Sequence, residues 1–177
     1  MRAINVTESS PLFVPNYFAD SVMAIDFKML KKDGIDYVAF DADSTLVGFR
    51  QKSLDDKTEQ YLNKELKRFA GVCIASNRVT NDLHMIAEAL NAEVIRATFK
   101  TRKPSVRFFD RVVTLFSARP EKIAMIGDKL IADIYGANKS GLKTVWVNKK
   151  GRDSIIDWVL QTRRFERRIT RHHVKRN

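Results

Sequence analysis

The sequence predicts an α/β protein built around one mostly parallel sheet. Short apolar runs alternate with segments whose apolar residues recur at helical spacing, the pattern expected when crossover helices join parallel strands. Each run is followed by polar residues, as at the carboxyl end of a buried strand. With 177 residues, 44% of them apolar, the chain can bury one sizeable core, so we expect one main domain.

Five short segments are predicted as strands. Each is rich in apolar or β-branched residues and ends in polar ones. They are residues 37–40, 72–75, 93–95, 123–126 and 144–147. We expect them to form a single sheet in which most neighbours run parallel.

The segments between these strands are predicted as helices, over residues 55–70, 81–90, 104–116 and 129–139. Pro104 suits a first helical turn and Gly141 suits a stop. Right-handed crossovers would place such helices on both faces of the sheet. Upstream, residues 17–32 are predicted as a helix that docks on the core, because their apolar residues fall near helical spacing, at Phe18, Val22, Ile25, Met29 and Leu30.

Charge and its distribution indicate an anionic partner. The net charge is +11, which favours phosphate esters, acidic lipid or nucleic acid. Much of the excess lies in residues 149–177, where basic residues far outnumber acids. We therefore divide the chain into a main domain, 1–150, and a basic helix and tail, 151–177.

The tail predicts an amphipathic helix. Its apolar residues share one helical face while most arginines lie elsewhere; the face holds Ile155, Trp158, Val159, Thr162, Phe165 and Ile169. Such a helix could lie on an anionic membrane. Alternatively, the apolar face docks on the sheet and the arginines are solvated.

Cysteine usage and hydropathy indicate the compartment. The single cysteine, Cys73, lies in the apolar run 71–75, which excludes a disulfide framework and favours a reducing environment. The sequence lacks a leader pattern and an apolar run long enough to cross a bilayer. We expect a cytoplasmic protein, either soluble or peripherally bound to a membrane.

Two carboxylates follow the strand 37–40. Asp41 and Asp43 come directly after its apolar residues, at the edge of an open α/β sheet where ligands bind. Taken alone, this pair is equally compatible with an ordinary solvated turn.

Three further polar segments follow strands or precede helices. Ser76 and the backbone N–H groups after it can bind a phosphoryl oxygen, and Lys103 offers an ammonium group that would offset clustered negative charge. Asp128 and Asp133 bracket the turn that Gly127 begins. Each segment also has an ordinary structural explanation, such as a helix cap or a surface lysine.

Together, and in this order, the four segments resemble the four signature motifs of the haloacid dehalogenase (HAD) superfamily. The resemblance implies a Rossmannoid three-layer sandwich with a catalytic edge. It implies that Asp41 attacks phosphorus to form an aspartyl-phosphate and that Asp43 is the general acid and base. Ser76, Asn77 and Lys103 would then hold the phosphoryl group, with Lys103 as part of the catalytic set.

The resemblance also implies a magnesium site. Carboxylates crowded beside a phosphate dianion would repel it, so a hard cation with oxygen ligands is required, and Mg²⁺ fits that role. By resemblance, Asp41, the Asp43 carbonyl and Asp128 bind the ion. Asp133 would be an additional acid that supports the metal or its loop.

Motif spacing leaves no room for a cap domain. HAD enzymes commonly insert a cap after the first motif or between the second and third. Here 30 residues, 46–75, separate the first two motifs, and 26 residues, 77–102, separate the next two. A helix and a strand use up each interval. We therefore expect an open site that acts on a large molecule or on a headgroup at a surface.

Residues 15–26, 34–36, 43–47 and 127–138 are similar to the YqeG-type IIIA branch, with the similarity extending over residues 11–150. That branch includes phosphatidylglycerophosphate phosphatases, so the resemblance implies a phospholipid substrate. Ser44 and Arg78 depart from the branch, which often has Asn at these positions. Two alternatives stay open: the same chemistry on nucleic-acid ends or phosphoproteins, and a non-catalytic nucleic-acid-binding module with this fold.

Overall fold

The computed structural model describes residues 1–3 and 11–148, which form a seven-stranded sheet covered by helices. The strands are β1 (Arg2–Ala3), β2 (Tyr17–Ala19), β3 (Tyr37–Phe40), β4 (Gly71–Ser76), β5 (Glu93–Arg96), β6 (Ile123–Gly127) and β7 (Lys143–Val147). The predicted tail helix in 151–177 lies outside the described residues. All five predicted strands are confirmed, each to within one residue at either end.

Strand order places β3 inside the sheet, between β6 and β4. The order is β1-β2-β7-β6-β3-β4-β5, and every neighbouring pair is parallel except β1 with β2. The chain proceeds from β3 to β4 and β5 on one side, then crosses to β6 and β7 on the other. The order therefore reverses beside β3, and open α/β sheets bind ligands at such a point.

The helices fall between the strands as the periodicity predicts. They are α1 (Phe27–Lys32), α2 (Asp56–Leu66), α3 (His84–Ala89), α4 (Val106–Phe116) and α5 (Gly136–Lys139). A 3₁₀ turn, Asn81–Leu83, precedes α3, and a π-helical turn, Leu130–Tyr135, leads into α5. Asp55 caps α2 by accepting a hydrogen bond from the Thr58 N–H at 3.0 Å.

The single helix predicted over residues 17–32 is wrong in its first half. Residues 17–19 form β2, in which Tyr17 and Ala19 are buried, and only Phe27–Lys32 is α-helical. Pairing with β7 satisfies the backbone of 17–19, so tertiary context overrides the helical spacing. The docking part of the prediction holds for α1, whose Phe27 and Leu30 are buried.

Two helix boundaries also test the prediction. Pro104 is not in a first helical turn, because α4 begins at Val106 after Ser105 as its N-cap. Gly141 does end the last helix: it has φ +80° just beyond α5, a conformation that glycine adopts without steric cost.

Apolar layers on both faces of the sheet make a three-layer sandwich. One layer joins α1, α2 and α3 to the sheet through residues such as Phe27, Leu62 and Phe40. The other joins α4 and α5 through Phe108 and Phe109. The predicted three-layer sandwich with a mostly parallel sheet is confirmed.

The two intervals where a cap could lie contain only parts of the sandwich. Residues 46–75 hold a loop, α2 and most of β4, and residues 77–102 hold α3, β5 and their loops. The prediction of a capless site is therefore confirmed. Among residues 1–3 and 11–148, no helix is long and apolar enough to cross a membrane.

Candidate active site

The predicted site residues converge at one edge of the sheet. Asp41 follows β3, Ser76 ends β4 and Asp128 follows β6, and these strands are parallel neighbours. Their carboxyl ends therefore lie side by side. The Asp41 N–H donates to the Ile126 carbonyl at 2.9 Å, which continues the β3–β6 pairing into the site.

Lys103 forms the centre of a buried ion cluster. Its Nζ lies 2.7 Å from Asp41 Oδ1 and 2.6 Å from Asp133 Oδ1. Residues 103, 41 and 133 are each at most 3% exposed. The ammonium group predicted to offset clustered negative charge therefore bridges two of the carboxylates directly.

Three carboxylates form a set that fits a hard divalent cation. Asp41, Asp128 and Asp133 each place a carboxylate oxygen within 4.8 Å of the others, and all three are buried. Oxygen donors of this kind suit Mg²⁺ better than softer metals. The Asp43 carboxylate lies outside this set, and the role predicted for its carbonyl remains a prediction.

Lys129 is a site residue that the sequence analysis missed. Its Nζ lies 3.4 Å from Asp41 Oδ2 and 3.3 Å from Asp128 Oδ1. The available signal was its position next to Asp128, in a turn already assigned to the site. The indole N–H of Trp146 in β7 donates to the Asp128 carbonyl at 2.9 Å and fixes this turn.

The buried charges shift one another's protonation. Burial acts to raise the pKa of Asp41, but the ammonium groups of Lys103 and Lys129 outweigh it and hold that pKa below its ordinary value. Burial would lower the pKa of Lys103, yet Asp133 and Asp41 raise it. For Asp133, burial and the charge of Asp41 together raise the pKa. Asp41 is therefore the carboxylate kept ionised.

Asp43 is held by an arginine from the next loop. Arg78 Nη2 contacts Asp43 Oδ1, and Arg78 Nε donates to Asp43 Oδ2 at 3.2 Å, so both carboxylate oxygens are engaged. The Arg50 N–H also donates to Asp43 Oδ1, at 2.8 Å. The sequence marked Arg78 only as a departure from a family pattern, and it gave no sign of this pairing.

Ser76 and Asn77 lie at the end of β4 and make different hydrogen bonds. Ser76 Oγ accepts a hydrogen bond from the Arg78 N–H at 3.1 Å, so its own O–H remains a possible donor. Asn77 exchanges two hydrogen bonds with the Lys103 backbone, at 3.0 Å and 2.8 Å. The Asn77 amide thus fixes the Lys103 loop, and its predicted contact with substrate remains a prediction.

A glycine allows the Asp133 side chain to approach β6. A Cβ atom at Gly127 would lie 2.5 Å from the Asp133 side chain. Asp133 Oδ2 also accepts from the Lys129 N–H at 3.0 Å. The absence of a side chain at Gly127 therefore lets Asp133 reach Lys103.

Sequence comparisons relate the chain to phosphatases. Residues 100–155 match the family model described as HAD-hydrolase-like. The chain is 27% identical over 135 residues to a probable phosphatase, YqeG, of Bacillus subtilis, covering 76% of this chain and 77% of that protein. It is also 41% identical over 56 residues to a glyceraldehyde 3-phosphate phosphatase of Pyrococcus furiosus, covering 32% of this chain and only 23% of that protein.

Solved structures share the fold at low sequence identity. A predicted phosphoglycolate phosphatase of Haemophilus somnus superposes with a TM-score of 0.51 at 14% identity, over 73% of this chain and 91% of that one. An uncharacterised Listeria monocytogenes protein gives 0.54 at 15% identity, over 73% and 99%. The magnesium-bound HAD-hydrolase YfnB of Bacillus subtilis gives 0.51 at 15%, over 63% and 86%. These similarities support the fold.

Proposed function

We propose that the chain is a phosphatase of the haloacid dehalogenase superfamily and that it hydrolyses phosphatidylglycerophosphate to phosphatidylglycerol in a magnesium-dependent reaction through an aspartyl-phosphate. One observation carries the proposal of chemistry: the Asp41 carboxylate has an oxygen within 4.8 Å of carboxylate oxygens of Asp128 and Asp133, and it accepts a hydrogen bond from the buried Lys103. This arrangement provides a nucleophile, a cation site and a compensating charge at one point.

Asp41 is the nucleophile in this proposal. Its carboxylate oxygen attacks phosphorus, the new O–P bond forms, and the P–O bond to the glycerol breaks. The positive charges of Lys103 and Lys129 keep Asp41 ionised, as the attack requires. Water then attacks the phosphoryl group, the bond to Asp41 breaks and inorganic phosphate leaves.

Asp43 moves the proton in both steps. Its carboxyl group protonates the leaving glycerol oxygen and later takes a proton from the attacking water, a role that speeds such reactions by roughly 10²–10⁴-fold. It comes two residues after Asp41 and is oriented by Arg78 through two hydrogen bonds. Ser76 can donate its O–H to a phosphoryl oxygen.

Asp41, Asp128 and Asp133 would hold the Mg²⁺ ion. When bound, the ion neutralises negative charge on the phosphoryl oxygens and orients the substrate. The Asp133 carboxylate and the buried Lys103 hold the surrounding loops in place.

The proposed substrate follows from the open site. The intervals 46–75 and 77–102 hold no cap, so nothing among the described residues encloses a small metabolite at the carboxyl edge, and a phosphate presented by a larger assembly fits better. The net charge of +11 and the basic residues of 149–177 favour an anionic lipid surface as the place where that phosphate is presented. The related YqeG protein is itself described only as a probable phosphatase.

Replacing the nucleophile tests the chemistry. We expect Asp41→Asn to reduce phosphate release from phosphatidylglycerophosphate in mixed micelles to background, because an amide cannot form the intermediate. The matched control is Asp36→Asn, which removes a surface carboxylate that pairs with Lys31 and should leave the rate unchanged. Sustained turnover by Asp41→Asn would contradict the proposal.

Metal and substrate are tested separately. Chelation with EDTA should abolish phosphate release and added Mg²⁺ should restore it; activity that persists after chelation would refute the metal site.

For the substrate, equal concentrations of phosphatidylglycerophosphate, a 5′-phosphorylated oligonucleotide and a phosphopeptide are compared by kcat/KM. A higher value for either of the last two would replace the lipid assignment.

A further inference from the structure

Three loops lie side by side at the catalytic edge. Residues 48–53 follow the Asp41 turn, 77–80 follow β4 and 97–103 follow β5. None of the three contains an acidic residue. We call these residues the site rim.

The site rim exposes large apolar side chains. Phe49 is 45% exposed, Val79 is 68% exposed and Phe99 is fully exposed. A single exposed apolar residue is common on a protein surface, but three on adjacent loops beside a site indicate an interaction surface.

Hydrogen bonds join the three loops into one continuous surface. Arg78 Nη1 donates to the Gln51 carbonyl at 3.2 Å, which connects the first two loops. Asn77 bonds to the Lys103 backbone in both directions and connects the second loop to the third. The three loops are therefore connected to one another and, through Lys103, to Asp41.

Exposed cations follow two of these apolar residues. Arg50 and Lys52 follow Phe49, and Lys100 and Arg102 follow Phe99; all four are exposed. The Arg50 guanidinium lies 5.4 Å from the Phe49 ring centroid. Apolar tips followed by cations complement an anionic lipid interface, where apolar groups enter the acyl boundary and cations remain among the headgroups.

We propose that the site rim docks on an anionic lipid bilayer and presents Asp41 to phosphate groups at the bilayer surface. This inference rests on the proposed lipid substrate and adds how the protein reaches it. The end of β7 also favours this edge as the side that faces the bilayer. β7 ends at Val147 on the catalytic edge, and the sequence that follows, 149–177, is basic.

A nucleic-acid surface fits these features less well. Binding of single strands relies on a groove lined by flat aromatic platforms. Val79 is aliphatic, and Phe99 is fully exposed rather than seated in a groove. Nucleic acid is therefore the competing outcome of the test.

Vesicle binding by the full chain tests the inference without any catalytic step. Vesicles of phosphatidylcholine alone, or mixed with phosphatidylglycerol, are sedimented with the wild type and with two variants, Phe49→Ser/Phe99→Ser and Lys100→Glu/Arg102→Glu. The wild type should bind the mixed vesicles. Each variant should bind at least about tenfold more weakly, because each basic residue near such a surface contributes about 1 kcal/mol and apolar insertion adds to it.

Matched controls lie at the opposite edge of the sheet. Leu115 is 38% exposed near the end of α4, and Arg119 is exposed just before β6 begins. Leu115→Ser and Arg119→Glu make the same chemical changes there and should leave vesicle binding unchanged. If the rim variants bind as tightly as these controls, or lose binding only to a phosphorylated oligonucleotide, the inference is wrong.

A fluorescence measurement gives a positive readout that does not depend on loss of binding. The emission of Phe99→Trp should shift to the blue on adding the mixed vesicles by more than that of Leu115→Trp; equal shifts would contradict the proposal. The outcome is separable from substrate identity. Rim-dependent binding without hydrolysis of phosphatidylglycerophosphate would refute the proposed substrate alone, whereas hydrolysis with rim-independent binding would refute the docking surface alone.

Discussion

At the scale of single residues, the site depends on buried charges that compensate one another. Lys103 contacts Asp41 and Asp133, and Lys129 lies between Asp41 and Asp128. Buried carboxylates are tolerated only when paired or bound to a metal, so these lysines let the acids fold together. The sequence predicted Lys103 because its position matched a motif, whereas Lys129 emerged only from the folded turn.

Replacing the central ammonium group should destabilise the protein strongly. Lys103→Met keeps the side-chain length but leaves Asp41 and Asp133 without their shared cation, so the free energy of unfolding should fall by about 3 kcal/mol. The measurement is urea denaturation without added metal. Lys122→Met is the control: its Nζ is 3.6 Å from Asp36 at the surface, and the expected loss is below about 1 kcal/mol. Equal losses would contradict the buried-pair argument.

The wild type and Lys103→Met should also differ in how their stability depends on pH. Asp133 and Asp41 raise the pKa of Lys103 above its ordinary value of 10.5 despite burial. Its contribution to stability is therefore full below that value and is lost as pH rises through the higher folded-state pKa. The stability difference between wild type and Lys103→Met should narrow in alkaline solution, and a constant difference would refute this.

Arg78 should orient the general acid. Arg78→Ala removes both hydrogen bonds to the Asp43 carboxylate and the link to the Gln51 carbonyl, so kcat should fall about tenfold while Asp41 and its cation partners remain. Steady-state kinetics on phosphatidylglycerophosphate in micelles measures this. Arg68→Ala, which removes a partner of Glu65 on α2, should have no effect. An unchanged kcat in Arg78→Ala would exclude the orienting role.

At the scale of elements, the turn after β6 shows how local backbone geometry builds the site. The chain passes from Gly127 through Asp128 and Lys129 into a π-helical turn, Leu130–Tyr135, which holds Asp133. Single π-helical turns are frequent at functional sites. The sequence predicted one regular helix over 129–139, because hydrogen-bond register within a helix is not visible in apolar spacing.

A methyl group at Gly127 should disrupt this turn. Gly127→Ala places a Cβ 2.5 Å from the Asp133 side chain, which must move away from Lys103. Thermal denaturation should show that the free energy of unfolding falls by about 1–3 kcal/mol, and the rate of phosphate release should fall as well. Gly48→Ala serves as the control, since a Cβ there meets only the flexible end of Gln51. If Gly127→Ala leaves the free energy of unfolding unchanged, the Asp133 side chain can move aside without energetic cost, which would contradict this prediction.

At the scale of the whole molecule, two apolar layers enclose a sheet whose central strands are buried on both sides. Residues of β3, β4 and β6 such as Ala39, Cys73 and Met125 have no exposed surface. The short apolar runs predicted as strands are therefore core strands, and their boundaries were predictable because a parallel sheet buries both faces.

Cys73 offers a probe of global opening. Burial raises the pKa of its thiol well above the ordinary value, so the reactive thiolate does not form in the folded protein. A disulfide reagent should modify Cys73 only as fast as the sheet opens, and fully in urea. Thr114→Cys, exposed on α4, should add one site that reacts at once. Immediate reaction of the wild-type protein would show that β4 is accessible.

The sequence by itself determined five strands of the sheet, the crossover helices between them and the polar segments that follow the strands, because apolar periodicity and the position of polar residues after strands are local properties of the chain. Tertiary structure decided which groups meet. The parallel pairing of β2 with β7, the Arg78 contact with Asp43 and the place of Lys129 between two carboxylates depend on segments distant in the chain. Pairing across such distances depends on how the sheet is assembled, and that information is not contained in any one segment.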